Sequence, residues 1–139
     1  MLYVLDTDHL SLFERRHPQV VARLRAVPLP QRAITIITVE EQMRGRLSQI
    51  KKARDANARI NACAALHDTV RIFAGIRILD YDVAAHVRYE ALRQMKLRIG
   101  TQDLCIAAIA LATGSVLVTR NRSDFGQISG LQIEDWTIP

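Results

Sequence analysis

The 139-residue chain is poor in aromatic residues, at 5%, and holds two cysteines, six glycines and four prolines. Cys63 and Cys105 stand apart inside helical patterns, without the close pairing of a zinc site or a redox motif, and both read as small buried hydrophobes. There is no glycine-rich phosphate loop and no serine or cysteine nucleophile motif. His9, His17, His67 and His86 have no mutual spacing that sets two of them on one helix face with a carboxylate, so structural or surface roles are expected. No apolar run approaches the length of a membrane span. Met1 to Leu10 also lacks the basic start and long apolar centre of a signal peptide, which predicts a cytoplasmic protein with no membrane partner.

Lysine is scarce as well. Of nineteen basic residues only Lys51, Lys52 and Lys96 are lysines, and the formal net charge is +5. An arginine-rich surface suits phosphate, because the guanidinium fork bonds two oxygens at once and keeps its charge. Solvated helix faces would use the same residues, so composition alone does not decide. With 49% hydrophobic residues the chain can bury one sizeable core, and residues 1–139 are expected to form a single domain.

Short apolar runs alternate with longer helical patterns, which predicts an α/β fold with a mainly parallel sheet. Strands are expected at Leu2–Leu5, Ala33–Ile37, Ile76–Leu79 and Ser115–Thr119, with a short last one within Leu131–Trp136. Helices are expected from Asp8 to Glu14 and after Pro18. Another runs from Val39 to about Phe73, capped by Thr38 and broken near Ser48. Asp82 caps a helix to about Leu97, and Thr101 caps one that ends at Gly114.

Ligands of an open parallel sheet bind beyond the carboxyl ends of its strands, and there the sequence places acids. Asp6 and Asp8 follow the first strand, Glu40 and Glu41 the second, and Asn121 and Asp124 the fourth, while Asp103 stands in the first turn of the helix before the fourth strand. Two carboxylates about 4 Å apart repel by roughly 4 kcal/mol at an effective dielectric near 20, so several together need a cation. Oxygen ligands of this kind select Mg²⁺, with Mn²⁺ as a substitute, over zinc. Each acid also has a plain structural reading. Asp6 suits the start of a turn, Thr38-Val39-Glu40-Glu41 is a capping box that would occupy Glu41, and Asp103 and Asp124 suit the starts of helices.

Four ordered blocks resemble one family. Val4-Leu5-Asp6-Thr7-Asp8 is similar to the opening strand and first acid of PIN domains. Thr38-Val39-Glu40-Glu41-Gln42-Met43-Arg44-Gly45 resembles the second block, whose acid precedes a glycine by four positions, a register that selects Glu41 over Glu40. Ile99-Gly100-Thr101-Gln102-Asp103 followed by Ile106-Ala107-Ala108 resembles the third, and Val118 to Phe125 with Gly130-Leu131 and Asp135-Trp136 the closing block of VapC-type toxins. Asn121 stands where many PIN domains carry Asp, so Asp124 or Asn121 is left to supply the fourth ligand.

The resemblance implies a three-layer α/β/α sandwich around a short, mainly parallel sheet. It implies a metal-dependent endoribonuclease that cleaves single-stranded regions of RNA by attack of an activated water on a phosphodiester. Asp6, Asp103 and Glu41 would be the metal ligands, completed by Asp124 or Asn121, and Arg44, Arg46, Lys51, Lys52, Arg54, Arg98, Arg120 and Arg122 would grip the RNA backbone. It further implies a toxin that forms a homodimer and is silenced by a VapB-like antitoxin. The helical region from Ser48 to Phe73, with Ile50, Ala53, Ile60, Ala64, Leu66 and Val70, either grooves for that partner or faces the chain's own core. Two alternatives stay open. One is a non-catalytic RNA-binding domain of the same fold; the other is a haloacid-dehalogenase-like phosphatase, suggested by Asp6-Thr7-Asp8 but short of a suitably placed lysine and second acidic pair.

Overall fold

A computed structural model describes residues 1–139. Five strands form one sheet in the order β3-β2-β1-β4-β5, and all four pairings are parallel. The strands are β1 (Tyr3–Leu5), β2 (Arg32–Thr35), β3 (Arg77–Leu79), β4 (Val116–Val118) and β5 (Gln132–Glu134). The seven helices are α1 (Thr7–Glu14), α2 (Pro18–Ala26), α3 (Ile36–Lys52), α4 (Ala56–Ala74), α5 (Val83–Gln94), α6 (Thr101–Thr113) and α7 (Arg122–Phe125).

Because side chains alternate along a strand, Val4, Ala33 and Leu117 enter one core with α5 and α6, while Leu5, Ile34 and Val118 enter a second with α1 and α2. The result is the expected α/β/α sandwich. Both faces of the central strands are covered, which is why β1 and β4 tolerate no polar residue within Val4–Leu5 and Val116–Val118. Each fully buried Leu or Ile in these layers stabilises the fold by roughly 1.5–3 kcal/mol.

The chain runs outward from β1 through β2 to β3, then crosses to the other side of β1 for β4 and β5. The reversal opens the sheet's crevice between the carboxyl ends of β1 and β4, which stay tied by Asp6 N–H donating to the Val118 carbonyl at 3.0 Å.

Four local expectations change. Helix α6 starts from Gly100, which has no side chain to cap with, so Thr101 is its first helical residue and not its cap. The second strand ends at Thr35, and Thr35, not Thr38, caps α3 by accepting the Thr38 N–H at 3.2 Å. Ile36 and Ile37 are therefore helical despite their β-branched side chains, since tertiary packing outweighs a propensity of a few tenths of a kcal/mol. The long helix breaks at Ala53–Asp55 and not near Ser48, where Asp55 accepts the Ala58 N–H at 2.8 Å to start α4. Cys63 is exposed and Cys105 only half-buried. Among the residues of α4 only Ala62 and Thr69 are fully covered, so Cys63 lies on the helix's outer side.

Candidate active site

The site grows from helix starts. Asp6 leaves β1 in an extended conformation and caps α1, its Oδ1 accepting the His9 N–H at 2.7 Å. This occupies one oxygen of a carboxylate that can accept about four hydrogen bonds, so capping and ion binding are compatible. Asp103 lies in the first turn of α6, whose N-terminus has no side-chain cap. Asn121 caps α7. Its amide oxygen accepts the Ser123 hydroxyl at 2.9 Å and the Asp124 N–H at 3.3 Å, and its amide nitrogen donates to Asp124 Oδ2 at 3.1 Å.

The shifted start of α3 decides the role open to Glu41. No capping box forms, because Thr38 is the third helical residue, and Glu41 Oε1 instead accepts the Thr7 hydroxyl at 2.9 Å. The Thr7 and Thr38 hydroxyls are themselves 3.0 Å apart, tying α1 to α3 beneath the carboxylate. Glu40 turns away, accepting from Arg44 and from Gln102 at 2.9 Å each. Of the two acids, Glu41 is the one whose charge acts on Asp103.

Asp6, Thr7, Asp8, Asp103, Arg120 and Asn121 line a cleft of about 560 Å³. Burial, then the negative charges of Glu41, Asp6 and Asp124, push the Asp103 carboxyl above the ordinary aspartate range. Acids from three other segments of the chain are therefore close enough to act on Asp103. Desolvation and like charge disfavour ionised carboxylates, and a bound cation relieves both at once. The donors are carboxylate oxygens, with backing from hydroxyls, and this chemistry fits a hard divalent ion.

Two residues were not singled out from the sequence. His9 is completely buried; its Nε2 accepts the Trp136 N–H at 3.3 Å, and its Nδ1 lies 3.3 Å from Asp6 Oδ1 without making a hydrogen bond. Asp6, Asp8 and His9 offer atoms within 4.8 Å of one another, a grouping that Asp-x-x-His across a strand-to-helix turn would have signalled. Thr7 is the second. A hydroxyl directly after the first acid was visible, but its bond to Glu41 depends on where α3 begins.

Much of the expected arginine grip is already paired. Arg120 holds Asp8 through two bonds of 2.7 and 3.1 Å, Arg44 holds Glu40 at 2.9 Å, and Arg46 holds Glu14 at 2.8 Å. Lys51, Lys52 and Arg54 are exposed at the far end of α3.

Residues 3–131 match the PIN domain family. The chain is 30% identical to Ribonuclease VapC2 of Haemophilus influenzae, covering 96% of this chain and 97% of that protein. It is 26% identical to the tRNA(fMet)-specific endonuclease VapC of Salmonella typhimurium over 96% of this chain and 97% of the other. The fold superposes on the crystal structure of DNA-bound VapBC from Salmonella typhimurium with a TM-score of 0.78 at 26% identity, covering 98% of this chain and 99% of that one.

Proposed function

The chain belongs to the PIN-domain family and stands among its VapC ribonucleases, and from that premise we propose that it is a Mg²⁺-dependent endoribonuclease, with Mn²⁺ able to substitute, that cuts single-stranded regions of RNA as the toxin of a toxin–antitoxin pair. The observation that carries this reading is the meeting of Asp6, Glu41, Asp103 and Asp124 at one end of the sheet, with Asp103 driven toward its protonated form first by burial and then by the other three.

Asp6, Asp103 and Glu41 would hold the ion, and Asp124 is the fourth acid. Asn121 serves it as a positioning residue, because its amide oxygen is already engaged in capping α7. A divalent ion in this nest would lower the pKa of a water and offset charge on the phosphoryl oxygens. Thr7 fixes the rotamer of Glu41, and the α1 cap fixes that of Asp6, so the acids are held before substrate arrives. The Asp8–Arg120 pair borders the cleft, where the guanidinium can turn toward a phosphate. Residues 1–139 act in this reading as a single domain, in the cytoplasm.

Two exposed apolar surfaces support the partners. Val83, Val87, Ala91 and Met95 repeat every four residues along the outer side of α5, a stripe suited to a second copy in a homodimer. Ile60, Ala64 and Val70 are exposed on α4, where a VapB-like antitoxin helix would find apolar cover.

Calorimetric titration with Mn²⁺ and cleavage of a labelled RNA test the nuclease. The intact protein should bind the ion and cut, and Asp6→Ala or Asp103→Ala should lower cutting by on the order of a thousandfold and remove ion binding. RNA affinity with no product under either metal would favour the non-catalytic binding domain instead.

A further inference from the structure

A second cleft of about 340 Å³ adjoins the first and contains no hydrophobic residue; Ser11, Arg15, Gln42, Gly45, Arg46 and Gln49 line it together with Glu14 and Glu41. Thr7 lines the acid cleft and Glu41 this one, and the 2.9 Å bond between their side chains links the two linings.

Gly45 is one of its lining residues, near the middle of the 17-residue helix α3. A glycine there destabilises the helix relative to alanine. Its φ is not positive, and a Cβ built on it meets no atom within 4 Å. Neither backbone conformation nor packing asks for glycine, and the open space above it leaves room for close approach by something outside the chain. A second, independent observation concerns Glu14. Its side chain is only 10% exposed, its Oε2 is occupied by Arg46 and Thr69, and its Oε1 is the one buried side-chain oxygen in the molecule without a hydrogen-bond partner. Glu14 lines this cleft and also the one bounded by Phe13, Arg16 and Ile72, and a buried carboxylate oxygen with no partner calls for a donor. Phosphate has none to give, whereas a ribose hydroxyl or a base amino group does.

Resting on the nuclease reading above, we propose that this cleft is a nucleoside subsite, seating the sugar and base of the nucleotide next to the phosphate held at the acids, with the strand passing directly over Gly45. Gln42 donates to Ser11 at 2.9 Å and Gln49 accepts from Arg46 at 3.2 Å, so one amide presents its oxygen and the other its nitrogen to an incoming base or sugar edge. Both polarities are on offer, which suits hydrogen-bonded recognition of RNA.

The test uses Gly45→Leu and Gln49→Leu, assayed on a fluorescein-labelled 12-nucleotide single-stranded RNA of mixed sequence. Gly45→Leu should melt at or above the parent's temperature, because a helix former replaces glycine, yet lower kcat/KM at least tenfold, chiefly by raising KM. Gln49→Leu should lower kcat/KM several-fold with melting unchanged. Parent-like cleavage by both variants would overturn the subsite while leaving the nuclease intact. If the parent itself cuts nothing under Mg²⁺ or Mn²⁺, the nuclease reading fails separately. Fluorescence anisotropy in an Asp103→Asn background then decides the subsite: weaker binding on adding Gly45→Leu supports it, and equal binding overturns it.

Discussion

Helices α5 and α6 are nearly equal in length, pack side by side on the same face of the sheet, and treat their apolar residues in opposite ways. Of the thirteen residues in α6, Leu104 and the unbroken run Ile106 to Ala110 are buried. In α5 only Ala85 and Leu92 are, while Val83 is 81% and Val87 63% exposed. A helix apolar all round belongs in a core, and one that turns valines to water keeps an apolar stripe open to another surface. The helix that carries Asp103 at its tip is thus the most firmly seated in the molecule, and its neighbour holds a face in reserve. Rigid seating suits the role proposed for Asp103 among three other acids, since small misplacements of reacting groups are expensive.

The largest effect expected from this contrast is on stability. Ile106→Ala should cost about 2–5 kcal/mol through lost burial and the cavity left behind, and lower Tm by about 10 °C. Val87→Ala, at a site already mostly in water, should stay within about 0.5 kcal/mol of the parent when measured as dilute monomer. Chemical denaturation of both variants checks the pair; equal losses would erase the distinction between the helices.

A smaller effect concerns association. Val87→Glu puts a charge in the centre of the exposed stripe, and a second copy seated there would have to bury it. For the proposed homodimer, sedimentation should show affinity reduced tenfold or more with the monomer's Tm unchanged. A dimer that persists at parental strength would move the interface elsewhere, and the stripe would lose its assignment.

The buried helix was also the more legible of the two. Gly100 and Gly114 bracket α6, and the left-handed Gly114, at φ 61°, ends it as the sequence indicated. The apolar runs of β1 and β4 and the acids behind them were equally plain. Less plain was the stretch Ile34-Thr35-Ile36-Ile37-Thr38, where two threonines compete to cap one helix and β-branched residues suit strand and helix start alike. Packing chose Thr35, and that choice released Glu41 from the expected capping box. His9 stayed hidden for a different reason: its partners Asp6 and Trp136 lie on either side of it by 3 and 127 residues, and the longer separation leaves no trace in local spacing.

The smallest effect is the pH dependence of the metal-free protein, and it probes the tip of α6. Two influences oppose each other at Asp103. The helix N-terminus favours its carboxylate by roughly 0.3–1 kcal/mol, whereas burial and the charges of Glu41, Asp6 and Asp124 disfavour it. The carboxyl's shift above its ordinary value of 3.8 says that burial and repulsion win. The folded protein therefore holds this proton to higher pH than the unfolded chain does. Where the folded state binds more protons, stability falls as pH rises, so the loss begins near the unfolded value and is complete above the raised folded one. Partial exposure keeps the effect modest. Asp103→Asn, which cannot ionise, should melt a degree or more above the parent in chelator at about pH 7, with the gap closing toward about pH 3.5. Added Mn²⁺ should reverse the order, because the parent gains a cation that the variant holds poorly. A gap that neither closes in acid nor inverts with the ion would mean that Asp103 is not in strain with its acidic neighbours, and α6 would then be a core helix that happens to end beside the cleft.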